Sequence, residues 1–318
     1  MRQAKGYGEP GKPNHVCLLK HAVYGLRQAG REWYDMLCQI MYGLNFKHCR
    51  VEHAVFYKHE AADTILVATD VDDMTIAGSS KRVICKFKEG LNQKVKIKDL
   101  GNLHWMLGIE VERDRATRTI SFSQSTYIMK ILERFGLQDA NPLSTPLDPH
   151  HRLMLAQCPD TPRQYENMKN VPYHKAIGSL MYAALGTRPD IMISVTFLSQ
   201  FMQNPGHAHW EEVKRVFRYL KGTMDQKLTI GTHGHWNWAE LGKQNQIGLE
   251  GFSDADGASQ HHCHSISGYI FTINGGAVSW SSKKQSIVAL STTKAEYIAA
   301  MHAAKEALWI QMFLTEIA

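Results

Sequence analysis

Apolar positions along the chain change their spacing several times, and each change marks an element. Residues 16–44 carry Tyr24, Leu26, Trp33, Leu37, Ile40 and Met41 and predict a helix, bent where Gly25 and Gly30 interrupt it. Residues 54–78 are β-branched and apolar on both sides of Asp70-Val71-Asp72-Asp73, which predicts two strands joined by an acidic hairpin turn. A basic helix follows at residues 81–93, with Lys81, Arg82, Lys86 and Lys88. Then comes a hairpin, residues 103–111 and 119–123, with its polar turn at Asp114-Arg115-Ala116. Tyr127, Ile128, Ile131, Leu132 and Phe135 have helical spacing within residues 125–136. Residues 140–170 lose periodicity and gain Pro, Asp, His and Gln, so they predict a linker. Residues 172–221 predict a helical block, clearest at 208–221, where Trp210, Val213, Phe217 and Leu220 fall on one side. Residues 232–247 predict a loop. Strands at 248–252, 268–273 and 277–280 precede a long helix from residue 293 onward. No internal repeat is visible.

The acidic turn carries the sharpest chemistry. Adjacent carboxylates repel unless a cation lies between them. Two-metal nucleotidyl transfer needs such fixed carboxylates, with ions about 3.5–4 Å apart, and a further Asp from a neighbouring strand. A solvated acidic hairpin without metal is the plain alternative.

Composition adds bounds. A chain of 318 residues suggests two domains at ~150 residues each, and 44% hydrophobic with 21% charged residues is ordinary for a globular protein. The net charge of +6 is compatible with a polyanionic partner. Six cysteines without a C-x-x-C pair predict reduced thiols and an intracellular, cytoplasmic or nuclear setting. No apolar run approaches the ~18–20 residues of a membrane span, and the polar, Gly/Pro-rich first 14 residues predict no signal peptide.

Other constellations are weaker. Lys214, Arg218 and Lys221, with Arg215 beside them, form a stripe able to track phosphates, or else a solvated helix face. His261-His262-Cys263-His264 has ligand chemistry but not ligand spacing, so metal binding is not expected there. Tyr24, Trp33 and Tyr34 are expected in the core rather than under stacked bases. The motifs of phosphate-loop ATPases, zincins and G-x-S-x-G hydrolases are absent.

Several segments resemble one family in order along the chain. Leu19-Lys20-His21-Ala22-Val23-Tyr24-Gly25-Leu26-Arg27-Gln28-Ala29-Gly30-Arg31-Glu32-Trp33-Tyr34 and Val71-Asp72-Asp73 resemble conserved boxes of copia-type retrotransposon reverse transcriptases. So do Lys98-Asp99-Leu100-Gly101, Leu107-Gly108-Ile109-Glu110-Val111, Thr187-Arg188-Pro189-Asp190 and Arg218-Tyr219-Leu220-Lys221-Gly222-Thr223. Ser253-Asp254-Ala255-Asp256, Ser279-Trp280-Ser281-Ser282-Lys283-Lys284-Gln285 and Ala295-Glu296-Tyr297 resemble the start of the family's ribonuclease H domain.

The resemblance implies an α+β chain. Residues 1–115 would be a partial right-hand polymerase palm with fingers, 116–170 the thumb start and linker, and 171–247 the helical thumb and connection. Residues 248–318 would be the N-terminal half of a ribonuclease H-like α/β domain. It implies Mg²⁺ held for polymerisation by Asp72 and Asp73 and for hydrolysis by Asp254 and Glu296. Arg27 and Gln28 would approach the nucleotide and template, and the partner would be a template–primer or RNA–DNA hybrid, not a membrane. The first palm Asp and the later ribonuclease H acids of the family have no match, and Asp70 stands where the family has an aromatic residue or His. A catalytically incomplete fragment is therefore expected. The alternatives are a non-enzymatic nucleic-acid-binding remnant and an unstable gene fragment.

Overall fold

A computed structural model describes residues 2–12, 14–20, 22–60, 63–148, 153–231, 248–256 and 264–318. The chain divides into two compact units, Met1–Gly101 with Trp309–Ala318, and Asn102–Leu308.

The first unit is built on an antiparallel meander of β1 (Lys47–His48), β2 (Val55–Glu60), β3 (Asp63–Asp70) and β4 (Asp73–Gly78), in that spatial order. Ile65 and Val67 alternate inward along β3, as a half-buried strand requires. They meet Leu37 and Met41 of helix α1 (Ala29–Gly43) and Phe87 and Leu91 of helix α2 (Lys81–Asn92) in one core. Phe46 and Phe87 close it with ring centroids 4.9 Å apart. The Ser80 hydroxyl accepts the Val83 N–H and starts α2.

The expected helix over residues 16–44 is corrected, because α1 begins only at Ala29. Gly25 has φ +92°, a left-handed conformation that no helix continues through, and Leu18 and Tyr24 upstream are exposed. Tyr24 therefore leaves the expected core, while Trp33 and Tyr34 are half-buried.

The second unit holds two antiparallel sheets. One is β5 (Trp105–Met106), β6 (Ile109–Asp114), β7 (Thr119–Ser123) and β8 (Leu228–Ile230) in that order. The other orders β9 (Leu249–Ala255), β10 (Ile266–Ile273) and β11 (Gly276–Lys284) as β11-β10-β9. Helices α3 (Ser125–Arg134), α5 (Tyr173–Gly186), α6 (Met192–Ser199) and α7 (His207–Gly222) enclose the main core. The last helix, α8 (Thr292–Ile317), contributes residues to both units. No helix among the described residues is long and apolar enough to cross a membrane.

The expected linker is partly ordered. Thr161 and Gln164 form a reciprocal capping box that starts α4 (Pro162–Met168). That Thr-x-x-Gln spacing, with Pro in the first helical turn, was readable in the sequence.

Candidate nucleic-acid and metal site

The hairpin turn places Asp70 opposite Asp73, with Val71 and Asp72 at its tip. Asp70, Asp72 and Asp73 are all exposed, so water screens their mutual repulsion. Val71 has φ +53°, a conformation that a β-branched residue strongly disfavours. The segment leading into α1 and the N-terminal part of that helix hold it there. The Trp33 indole N–H donates to the Val71 carbonyl at 2.7 Å, and the Tyr24 hydroxyl donates to Asp72 Oδ2. That hydrogen bond and the Asp72 charge raise the Tyr24 pKa above its ordinary value. Beside the turn, Trp33, Tyr34, Leu37 and His53 line a recess of about 350 Å³. Arg27 and Gln28 are exposed just before α1, on the stretch that carries both donors.

A different carboxylate has a role that sequence patterning missed. Glu316, in the last turn of α8, accepts the backbone N–H groups of Arg50 at 2.8 Å and Val51 at 3.3 Å. Those bonds hold its pKa below the usual carboxylate value. Nothing in local sequence links positions so far apart.

In the second unit the structure does not bring Asp254 and Glu296 together. Asp254 opposes Gly268, which opposes Ser282, and so shares a face with Phe252, Ile270 and Trp280. The Trp280 indole donates to the Ala184 carbonyl of α5 at 2.8 Å, so this face meets the helical core. Neighbouring Ser279 points the other way and donates to Glu306 of α8 at 2.6 Å. Glu296 lies on that same helix, exposed, over the opposite face. Asp254 opens instead into a recess of about 290 Å³ with Met192 and Ile193. Among the described residues, no group of three or more His, Cys, Asp or Glu side chains is arranged to share a metal ion. His261, His262 and Cys263 lie outside the described residues, and His264 is engaged with the Gln285 carbonyl at 2.9 Å.

The basic stripe on α7 is occupied within the chain. Lys214 pairs with Glu211 at 2.6 Å, Arg218 donates to the Asn141 carbonyl at 2.7 Å, and Lys221 donates to the Ala140 carbonyl at 2.8 Å. Arg215 reaches Thr145 and Asp148. These cations strap residues 140–148 onto the helix. On α2, Arg82 pairs with Asp63 and Lys88 with Asp99, both at 2.7 Å, and each carboxylate has a lowered pKa. Arg218→Ala and Lys221→Ala are each expected to cost about 1 kcal/mol, the scale of one ordinary hydrogen bond, because neither contact is fully buried. Urea unfolding followed by circular dichroism measures this; no loss in either variant would mean that the strap does not depend on these contacts.

Comparison with known proteins fixes the class. The family model for reverse transcriptase (RNA-dependent DNA polymerase) matches residues 1–149. The chain belongs to the reverse transcriptase family of copia-type retrotransposon Pol polyproteins. It is 41% identical, over its whole length, to 23% of the retrovirus-related Pol polyprotein from transposon TNT 1-94 of Nicotiana tabacum. It is 35% identical, again over its whole length, to 20% of the Pol polyprotein from transposon RE1 of Arabidopsis thaliana. The chain thus spans less than a quarter of either polyprotein. It is also 28% identical to a transposon Ty5-1 protein of Saccharomyces cerevisiae, covering 96% of this chain and 94% of that protein. No solved structure matches the chain. Reverse transcriptases of this family use divalent metal ions and act on a nucleic-acid template–primer.

Proposed function

We propose that this chain is the palm, thumb and early ribonuclease H portion of a copia-type Pol polyprotein, and that alone it does not complete either metal site. Residues 1–115 supply the palm and fingers, 116–170 the thumb start, 171–247 the thumb and connection, and 248–318 the ribonuclease H-like portion. One observation carries this reading: Asp72 stands at the tip of the β3–β4 hairpin and Asp73 begins β4, which ends its sheet with no partner strand among the described residues. A strand pairing along that edge would set its side chains beside those of Asp73.

Asp72 and Asp73 would contribute to holding Mg²⁺ for polymerisation, and Asp254 and Glu296 for hydrolysis. When bound, such ions activate the attacking oxygen and stabilise the leaving one. The residues present do not fit that task unaided. The turn offers two neighbouring carboxylates, one already accepting from Tyr24, while Asp254 faces one side of its sheet and Glu296 lies on the helix that covers the other. Ligand number governs metal affinity, so no catalytic step is assigned to the chain alone. What it retains is contact with a template–primer or RNA–DNA hybrid.

Primer extension on an RNA template with Mg²⁺ or Mn²⁺ tests this. No extension is expected from the isolated chain. Extension that disappears in Asp72→Asn would overturn the incompleteness.

A further inference from the structure

A polyanionic partner needs cations that the chain itself leaves free, and those of the α7 stripe are engaged with Glu211, Asn141 and Ala140. In the first unit, Lys58 and Lys86 reach Glu60, Arg82 reaches Asp63 and Lys88 reaches Asp99. Lys94, Lys96 and Lys98 are different. All three are exposed, and none reaches a carboxylate among the described residues. They alternate with Val95 and Ile97, which are half-buried against the core that holds Phe87 and Leu91. The run Lys-Val-Lys-Ile-Lys therefore sends its apolar side chains inward and its cations outward. Its backbone is anchored as well: the Val95 N–H donates to the Leu91 carbonyl at 2.9 Å, and the Ile97 N–H to Asn92 Oδ1 at 3.5 Å. Asp99, the next acid along, is held by the Lys88 ammonium at 2.7 Å and the Gly101 N–H at 2.9 Å.

We propose that Lys94, Lys96 and Lys98 form a phosphate rail that grips one strand of a nucleic acid by its backbone, without reading its sequence. This rests on the proposed contact with a template–primer or hybrid and adds residues that make it. Alternate residues of an extended chain lie at most about 7 Å apart, on the scale of successive phosphates along a strand. Each exposed ammonium alone contributes little, but a row of them releases counterions together from a polyanion. Val95 and Ile97 are turned to the core and leave residues 94–98 no apolar face to sink into a lipid surface, which favours a nucleic acid over a membrane.

The test uses the full chain with EDTA present, so that metal plays no part, and a fluorescent RNA–DNA hybrid as probe. Anisotropy titrations run from about 50 to 200 mM salt. Lys94→Gln, Lys96→Gln and Lys98→Gln together are expected to weaken binding about tenfold or more at low salt and to flatten the slope of log K against log salt by about 2–3. Lys94→Arg, Lys96→Arg and Lys98→Arg together are expected to bind as the native chain does. Lys130→Gln, Lys175→Gln and Lys305→Gln together remove the same charge from exposed positions of the second unit and are expected to leave the slope nearly unchanged. If the two glutamine sets weaken binding equally, the rail is overturned, because affinity then follows net charge alone, and the proposed contact with nucleic acid stands. If the native chain does not bind the hybrid even at low salt, that contact fails and the rail with it. Binding to phosphatidylserine vesicles that needs the three lysines, with hybrid binding indifferent to them, would overturn the assignment to nucleic acid.

Discussion

Replacing Arg188 with Met is expected to lower the unfolding free energy of the second unit by about 1.5–3 kcal/mol, because it breaks charge-assisted hydrogen bonds to a carboxylate that is 32% exposed. The Arg188 side chain is 2% exposed. It grips Asp190 with two bonds, Nε to Oδ1 at 3.0 Å and Nη2 to Oδ2 at 2.7 Å. Its remaining donors reach the Thr223 carbonyl at 3.0 Å and hydroxyl at 2.6 Å, tying the short turn Pro189–Ile191 to the end of α7. The Tyr219 hydroxyl adds a third bond to Asp190, at 2.7 Å. Replacing both ionic partners, Arg188→Met with Asp190→Leu, is expected to recover most of the loss, since an apolar pair carries no desolvation cost. Chemical denaturation measures both variants, and a loss under about 1 kcal/mol in Arg188→Met would remove the pair from the stability of the unit.

The same pair sets a pH dependence. Burial pushes the Asp190 pKa up, but the Arg188 hydrogen bond and charge, with the Tyr219 hydroxyl, outweigh it and leave the pKa lowered. A carboxylate with a folded pKa below its unfolded value stabilises fully above the unfolded value, ~3.9 for Asp. That stability drains away as pH falls through the folded pKa. In Arg188→Met the guanidinium no longer holds the folded pKa down, so the share of the acid-induced loss that comes from Asp190 is expected to shrink, and stability falls less steeply through this range.

Phe217→Ala is expected to cost about 3–5 kcal/mol, the range for emptying a fully buried aromatic site. Phe217 has no exposed surface, and its ring centroid lies 4.9 Å from that of Phe135. Val213, Val216 and Leu220 line the same side of α7 and are equally enclosed, leaving little room for the site to collapse. Phe217→Leu keeps most of the volume and is expected to lose clearly less by the same denaturation measurement. Equal losses would mean that filling the volume is not what this position contributes.

That side of α7 was legible from spacing, because burial of a helix stripe follows directly from a repeat of three or four residues. The β3–β4 hairpin was legible for a similar reason, with β-branched runs around a polar turn. What the other side of α7 does was not legible. Arg218 and Lys221 find backbone carbonyls at Asn141 and Ala140, and every residue carries a carbonyl, so composition gives no sign of the partner. Tyr24 was expected inside by its chemistry and was carried outside by the backbone at Gly25. The strand Leu228–Ile230 is too short to show a period and is defined by pairing with β7. The separation of Asp254 from Glu296 follows from strand parity and from which layer covers which face. Both acids were identifiable by motif, but neither layer could be assigned before the fold was known.

The Glu316 carboxylate meets the amide of Arg50 across 266 positions of sequence. During synthesis on a ribosome, the amides at Arg50 and Val51 must therefore wait, hydrated, until the last turn of α8 has emerged. The 49–51 segment thus reaches its final hydrogen bonding only after every element between it and the end of α8 has been made.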